Sequence, residues 1–369
     1  MKKYRYTYEP DSISMPALSE GTLFLDIETT GFDRRSTFLT IIGLAWQEKE
    51  QIIVEQWLNE TGPMEEPLLL LELNHFLKEM PALPQLIHYN GSTFDLPYLK
   101  AKYDQYHLPT SLCDCNSTDL YKLAKKYKKL FGLSGIRQKN LEEFFGLYRE
   151  DTLSGQELIN VYLEGIESKD ETLLHAYLLH NKEDMEGMVY LQNLLKLHSF
   201  LNGEFLITEW TESKDHTWIN VTLTGDYYLY KPVLCSMEGI DFKLCNKQTD
   251  FKIPVKYMEA KYFYPNYKDY YYLPAENCAM HKSVASYVEK DYRQKATKET
   301  CYTRKTSSFV PLPLPAATRC RKMCLQECSC LDLFYESYGD CMAWVEQSLE
   351  DNEKRQLYIK ILLHQLTVS

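Results

Sequence analysis

The stretch Leu23-Phe24-Leu25-Asp26-Ile27-Glu28-Thr29-Thr30-Gly31 decides the reading of this chain: an apolar run ends in two carboxylates just ahead of a glycine. Side chains alternate across a strand, so Asp26 and Glu28 share one face while Ile27 points into the opposite layer. Two like charges this close repel unless a cation sits between them, and the pair therefore points to a divalent metal. The competing reading is a polar edge strand with solvated acids.

Working outward, apolar runs with strand character cover Thr22 to Ile27, Phe38 to Trp46 and Gln51 to Trp57, before a helical run near Glu66 to Met80 and a further strand at Gln85 to Tyr89. The short connections among the first three favour antiparallel pairing. The strand after the helix can return parallel beside the first, which gives a mixed sheet. Helical periodicity then covers Phe94 to Tyr103, Thr118 to Leu130, Asn140 to Phe145, Gly155 to Leu163 and Glu171 to Leu197. The fold class is α/β, a mixed sheet flanked by helices over residues 21–200, preceded by an N-terminal extension at 1–20.

Past Asn202-Gly203 the texture changes to alternating runs such as Trp218 to Leu223, Tyr227 to Val233 and Phe251 to Val255. These predict a mainly β accessory domain over 201–310. Val310-Pro311-Leu312-Pro313-Leu314-Pro315 has the composition of an extended spacer, and it sets off a helical tail, 311–369 in all.

A length of 369 residues suits two to three domains, and 44% hydrophobic with 25% charged residues excludes a disordered or fibrous chain. Apolar runs such as Leu68 to Leu71 fall far short of the roughly 20 residues that cross a bilayer. The start, MKKYRYTYEP, lacks an apolar secretory core, and a cytoplasmic protein without a membrane partner is expected. With 41 Lys and Arg against 52 Asp and Glu, the net charge of −11 repels a phosphate backbone at long range. Nucleic-acid binding then requires local basic patches or metal. Eleven cysteines, an odd number without an export signal, favour reduced thiols over a disulfide framework.

A second motif, Ile87-His88-Tyr89-Asn90-Gly91-Ser92-Thr93-Phe94-Asp95-Leu96-Pro97-Tyr98-Leu99, joins a strand end to a helix start through a glycine turn. Asp95 falls in the first helical turn, where complementing the helix dipole is role enough. A third, His180-Asn181-Lys182-Glu183-Asp184, places His180 and Asp184 on one helix face, a spacing equally suited to a surface contact.

Together, in this order and spacing, the three segments resemble the DEDD superfamily of 3′-to-5′ exonucleases, whose domain has a ribonuclease-H-like fold. The likeness covers about residues 20 to 197. It extends to Thr118-Asp119-Leu120-Tyr121 and Gln138 to Gly146, and among such proteins it is similar to bacterial ribonuclease-H-like domain proteins. It implies a phosphodiesterase of DNA or RNA in which Asp26, Glu28, Asp95 and Asp184 hold two Mg²⁺ or Mn²⁺ ions, with Asp26 bridging. His180 would orient or deprotonate the attacking water. Superfamily members place a catalytic histidine five residues before the last aspartate and a tyrosine four before. Here position 179 is leucine and His180 fills the tyrosine slot, which leaves Tyr177 as the alternative base. The rivals are a nucleic-acid-binding or scaffold protein with a relic site, and a nucleotide hydrolase or endonuclease with the same metals.

Thr29 and Asn90, inside the first two motifs, are candidate nucleic-acid contacts. Lys125 is another, in the helical cluster Lys122, Lys125, Lys126, Lys128 and Lys129, which also reads as a solvated face. Between Lys282 and Lys322 ten Lys and Arg oppose three acids, and Arg293, Lys295 and Lys298 are the candidates there. The preceding Tyr262 to Tyr272 run suits base stacking or ordinary sheet packing. Cys320, Cys324, Cys328 and Cys330, with Cys341 beyond, match no paired C-x2-C framework; buried free thiols and a structural metal are both open.

Overall fold

A computed structural model describes the chain apart from residues 12–14, 81–83, 152, 154, 316–317, 350 and 369, and apart from the side chains of 318–320, 323 and 367–368. It divides into two units, Met1–His198 and Ser199–Ser369.

The first unit runs β1 (Lys2–Tyr8), β2 (Thr22–Thr29), β3 (Leu39–Glu48), β4 (Gln51–Leu58), α1 (Glu66–Glu79), β5 (Gln85–His88), α2 (Asp95–Gln105), β6 (Asn116–Asp119), α3 (Leu120–Tyr127), α4 (Gln138–Phe145), α5 (Gly155–Ser168), α6 (Glu171–Tyr190) and α7 (Gln192–Leu201), the last crossing into the second unit. Its six strands lie in the order β1-β4-β3-β2-β5-β6. A two-residue turn closes β3 onto β4, with Glu48 opposite Gln51 and Lys49 at φ 56°, the left-handed backbone that tight hairpins require. The crossover through α1 returns β5 parallel to β2, and β6 follows parallel to β5, so the sheet is mixed as expected.

Helices cover both faces of this sheet. Leu23, Leu25 and Ile27 point to one side and pack with Leu69, Leu73 and Leu99 of α1 and α2. Ile41 and Leu58 point to the other and pack with Leu158, Tyr162, Tyr177 and Leu178 of α5 and α6. Strand alternation thus buries Ile27 on the α1 side and turns Asp26 and Glu28 toward α6.

Two local expectations change. Residues 1–20 are not simply an extension, because Lys2 to Tyr8 pair antiparallel with Leu58 to Ile52 of β4. The alternation of lysine and arginine with tyrosine is the pattern of a charged edge strand. Asn116 to Asp119, expected to lead into a helix from Thr118, is instead the other edge strand, too short and polar to show an apolar period.

The second unit begins with the antiparallel sheet β7-β8-β11-β10-β9, built from β7 (Leu206–Glu212), β8 (Trp218–Thr224), β9 (Val233–Met237), β10 (Ile240–Cys245) and β11 (Gln248–Pro254). Of Tyr227 to Val233, expected as strand, only Val233 lies in one; residues 227–232 are irregular although Tyr227 is buried. There follow β12 (Lys256–Phe263), β13 (Tyr270–Leu273), β14 (Cys278–His281), α8 (Lys282–Ala285), β15 (Gln294–Lys295), β16 (Tyr302–Pro313), α9 (Thr318–Glu327), β17 (Met342–Glu346) and α10 (Asn352–Val368). The proline-rich run is no spacer. It ends β16, which pairs with β12 up to Phe309 and with β17 from Phe309 onward. Pro311 and Pro313 fall where only one neighbour remains, the position in a sheet where a missing N–H is tolerated.

Candidate active site

Asp26 and Glu28 reach the α6 side of the sheet from the C-terminal end of β2. Strand β5 pairs with β2 only as far as Phe24, so beyond it one edge of β2 is open. Asp95, in the first turn of α2, fills that opening: its Oδ1 accepts the backbone N–H of Ile27, between the two acids, at 3.2 Å. The carboxylate also complements the helix N-terminus.

From the other side α6 brings His180, Asn181 and Asp184. Asn181 Nδ2 donates to Asp26 Oδ2 at 2.8 Å, and its Oδ1 accepts from Gln56 Nε2 at 2.8 Å. His180 Nε2 lies 3.2 Å from Asp184 Oδ2 and 3.7 Å from Glu28 Oε1. Among the described residues Glu28, His180 and Asp184 form a metal-capable group, with ligand atoms within 4.8 Å of one another. Their side chains keep 20%, 21% and 17% exposure, enough for solvent and a ligand to reach them.

Burial and mutual repulsion dominate the electrostatics. Burial, then the charges of Asp95, Asp184 and Glu28, holds the Asp26 carboxyl well above the usual range against the Asn181 hydrogen bond. Glu28 is pushed up to about 8, by burial first, with His180 pulling the other way. Asp95 rises to about 7, again through burial, despite backbone hydrogen bonds that favour its charge. Burial lowers His180, but Asp184, Glu28 and Asp151 together outweigh it and hold the imidazole above its ordinary value.

Hard oxygen donors crowded to this degree fit a divalent cation. Among the described residues no lysine or arginine pairs with Asp26, Glu28 or Asp95 to relieve their repulsion.

Two contributors, Arg149 and Asp151, carried no motif. Arg149 Nη2 meets Asp184 Oδ1 at 2.7 Å while its Nε and Nη2 hold the buried Glu142 at 2.5 and 2.7 Å. Asp151 Oδ2 sits 2.7 Å from His180 Nδ1. Glu183 accepts the backbone N–H groups of Glu150 and Asp151 at 2.8 and 2.9 Å, tying that loop to α6. The only sequence signal was the charge density of Arg149-Glu150-Asp151.

Other candidates lie elsewhere or are occupied. Tyr177 is buried in the core, its hydroxyl 2.6 Å from Thr40 Oγ1 and its ring against Tyr162, so the alternative base is a packing residue. Thr29 Oγ1 donates to Gly31 O at 2.8 Å, closing its own turn. Asn90 adopts φ 62° and its N–H donates to Asp119 Oδ1 at 2.8 Å. Lys125 is exposed on α3. In the second unit Lys295 and Lys298 are exposed, whereas the Arg293 guanidinium lies 4.9 Å from the Tyr271 ring centroid and donates to Ala285 O. Cys324 and Cys328 are buried with their thiols hydrogen-bonded together, and Cys330 and Cys341 are exposed; the Cys320 side chain lies outside the described residues. No helix among the described residues is long and apolar enough to cross a membrane.

Residues 23–196 match the family model of the RNase_H superfamily. No curated protein matches the chain. Among solved structures, an ExoI/SSB-Ct complex is similar at 13% identity and a TM-score of 0.29, with 56% of each chain covered. The zinc-bound form of an E. coli ExoI–ssDNA complex is similar at 11% identity and the same TM-score, with 56% of this chain and 55% of that one covered. The chain spans a little over half the length of these structures. The mixed sheet, the helices on its two faces and the family match agree: residues 23–196 have a ribonuclease-H-like fold.

Proposed function

We propose that this domain is a metal-dependent 3′-to-5′ exonuclease that hydrolyses phosphodiester bonds of DNA or RNA. The observation that carries the reading is the convergence of separate segments on one strand end. Asp95 bonds the backbone between Asp26 and Glu28, and Asp184 and His180 close on Glu28 from α6. The resemblance of the three motifs to DEDD exonucleases supplies the end-trimming direction.

Asp26, Glu28, Asp95 and Asp184 would hold two Mg²⁺ or Mn²⁺ ions, which when bound acidify water and stabilise the attacking and leaving oxygens. The chain's own groups do the rest. His180 Nε2, 3.2 Å from Asp184 and 3.7 Å from Glu28, takes the proton of the attacking water. The water oxygen bonds to phosphorus as the bond to the 3′-oxygen of the preceding nucleotide breaks, releasing a terminal nucleotide 5′-phosphate. Phe32, 87% exposed and edge-on to Phe94 at 5.7 Å, offers a stacking face for the terminal base. Exposed lysines such as Lys125 can meet phosphates without reading sequence.

The test is Mn²⁺-dependent degradation of end-labelled DNA and RNA oligomers by wild type and Asp26→Ala. A ladder shortening from the 3′ end that the variant loses is expected. Equal cleavage by both proteins overturns the site.

A further inference from the structure

The loop after α4 is bound to α6 at several points, each involving a residue of the third motif. Arg149 meets Asp184, the backbone N–H groups of Glu150 and Asp151 meet Glu183, and Asp151 meets His180. The Asp151 contact differs in kind, because it fixes an imidazole by one nitrogen and leaves the other facing the acids. Asp151 Oδ1 is held by the Leu153 N–H at 3.1 Å, which leaves Oδ2 to His180 Nδ1 at 2.7 Å, and the residue is buried. An ionised carboxylate only accepts, so Nδ1 must carry the proton of this bond. In a neutral ring Nε2 is then the lone-pair nitrogen, and it is the one 3.2 Å from Asp184 and 3.7 Å from Glu28.

We propose that Asp151 is a positioning residue for His180, holding the imidazole in the Nδ1–H form with Nε2 turned to the water that attacks the phosphodiester. Its catalytic consequence rests on the nuclease reading above; the placement of the proton does not. Leu179 occupies the position where a superfamily histidine is expected, and Asp151 explains how a histidine one residue later is aimed at the acids. Asp151 acts through His180.

The experiment pairs long-range ¹H–¹⁵N spectra of the histidine rings in the metal-free protein with kinetics. The His180 signals are assigned by their loss in His180→Gln. Wild type is expected to show neutral His180 protonated on Nδ1, and Asp151→Ala to lose that exclusive form. The alanine variant should lower kcat about 10- to 100-fold, with KM and Mn²⁺ affinity held. An Nε2–H form in wild type overturns the proposal, even if the variant fails to fold. An Nδ1–H form that persists in Asp151→Ala, or an unchanged kcat there, overturns it as well. If wild type trims no oligomer, the nuclease reading fails, and the tautomer comparison still decides whether Asp151 sets the ring.

Discussion

Gly43 lies directly under Asn181: a Cβ at Gly43 would come within 2.6 Å of Asn181 Oδ1 and 2.9 Å of Met185 Sδ. Gly43 is opposite Asp26 on one side and Gln56 on the other, so Asn181 crosses a three-strand row at its lowest point and bonds both neighbours. The missing side chain is what lets α6 come down far enough for Asn181 to reach Asp26.

Gly43→Ala should therefore destabilise the domain by about 1–3 kcal/mol through overpacking, where glycine to alanine in a strand ordinarily stabilises. Thermal melts check this, and Gly43→Ala/Asn181→Ala should recover much of the loss. An alanine variant that melts with wild type would mean that α6 does not approach this closely.

Arg149 is the second position where structure and stability meet. Its guanidinium divides between Asp184 and Glu142, and Glu142 is fully buried beneath Gly187, where a Cβ would collide with its carboxylate. Arg149→Met leaves that carboxylate, among the described residues, with only the Gln138 amide at 2.9 Å and should cost about 3–5 kcal/mol in chemical denaturation. Arg149→Met/Glu142→Gln should regain a large part of it, since the buried charge is gone. Equal losses in the single and double variants would refute a coupled pair.

The parts of the site legible in the sequence are those whose geometry is local. Two residues along a strand share a face and four along a helix share a face, so Asp26 with Glu28 and His180 with Asp184 follow from spacing. Asp95 was legible as a helix-start acid, but its bond to the Ile27 N–H depends on where β5 stops pairing, which no local pattern encodes. Arg149 and Asp151 sit in a connection between helices, and only the tertiary path of that connection brings them to α6. Tyr177 misled because helical spacing from Asp184 does not tell a residue at the acid cluster from one a turn away in the core. The proline run misled through composition, since a proline at the one-sided end of a strand reads locally like a spacer.

The crowded acids make metal-free stability depend on pH in a definite direction. Glu28 ordinarily titrates near 4.5 and here near 8; Asp95 moves from 3.8 to about 7, and Asp26 is raised too. Between those values the folded state holds protons that the unfolded chain has released. That stabilisation is complete below about pH 4, and is lost as pH rises through about 8. His180, raised from 6.5, acts in the same direction. The metal-free Tm should therefore fall across this window. Added Mn²⁺ or Mg²⁺ should restore it far more at about pH 9 than at about pH 5, and Asp26→Asn should flatten the decline. A metal-free Tm that rises from pH 5 to 8 in differential scanning fluorimetry would contradict the burial of these acids.

The basic segment of the second unit separates into residues free to meet phosphate and one that is not. Lys295 and Lys298 are exposed, and Tyr287 and Tyr292 nearby in sequence are 91% and 62% exposed, a composition suited to a single strand. Arg293 is spent on Tyr271 and the Ala285 carbonyl. Lys295→Gln/Lys298→Gln should weaken oligomer binding at low salt and reduce the slope of log K against log salt by about 1.4 to 1.8, two single-strand or duplex contacts. Tyr287→Ala should cost about 1–3 kcal/mol of binding if a base stacks there. Arg293→Ala should instead lower the melting temperature through its lost packing while leaving the salt slope unchanged. Fluorescence anisotropy across a salt series distinguishes these outcomes. A slope that follows Arg293 and ignores both lysines would reverse the assignment, because a guanidinium held against a ring and a carbonyl would then have to leave both to reach the strand.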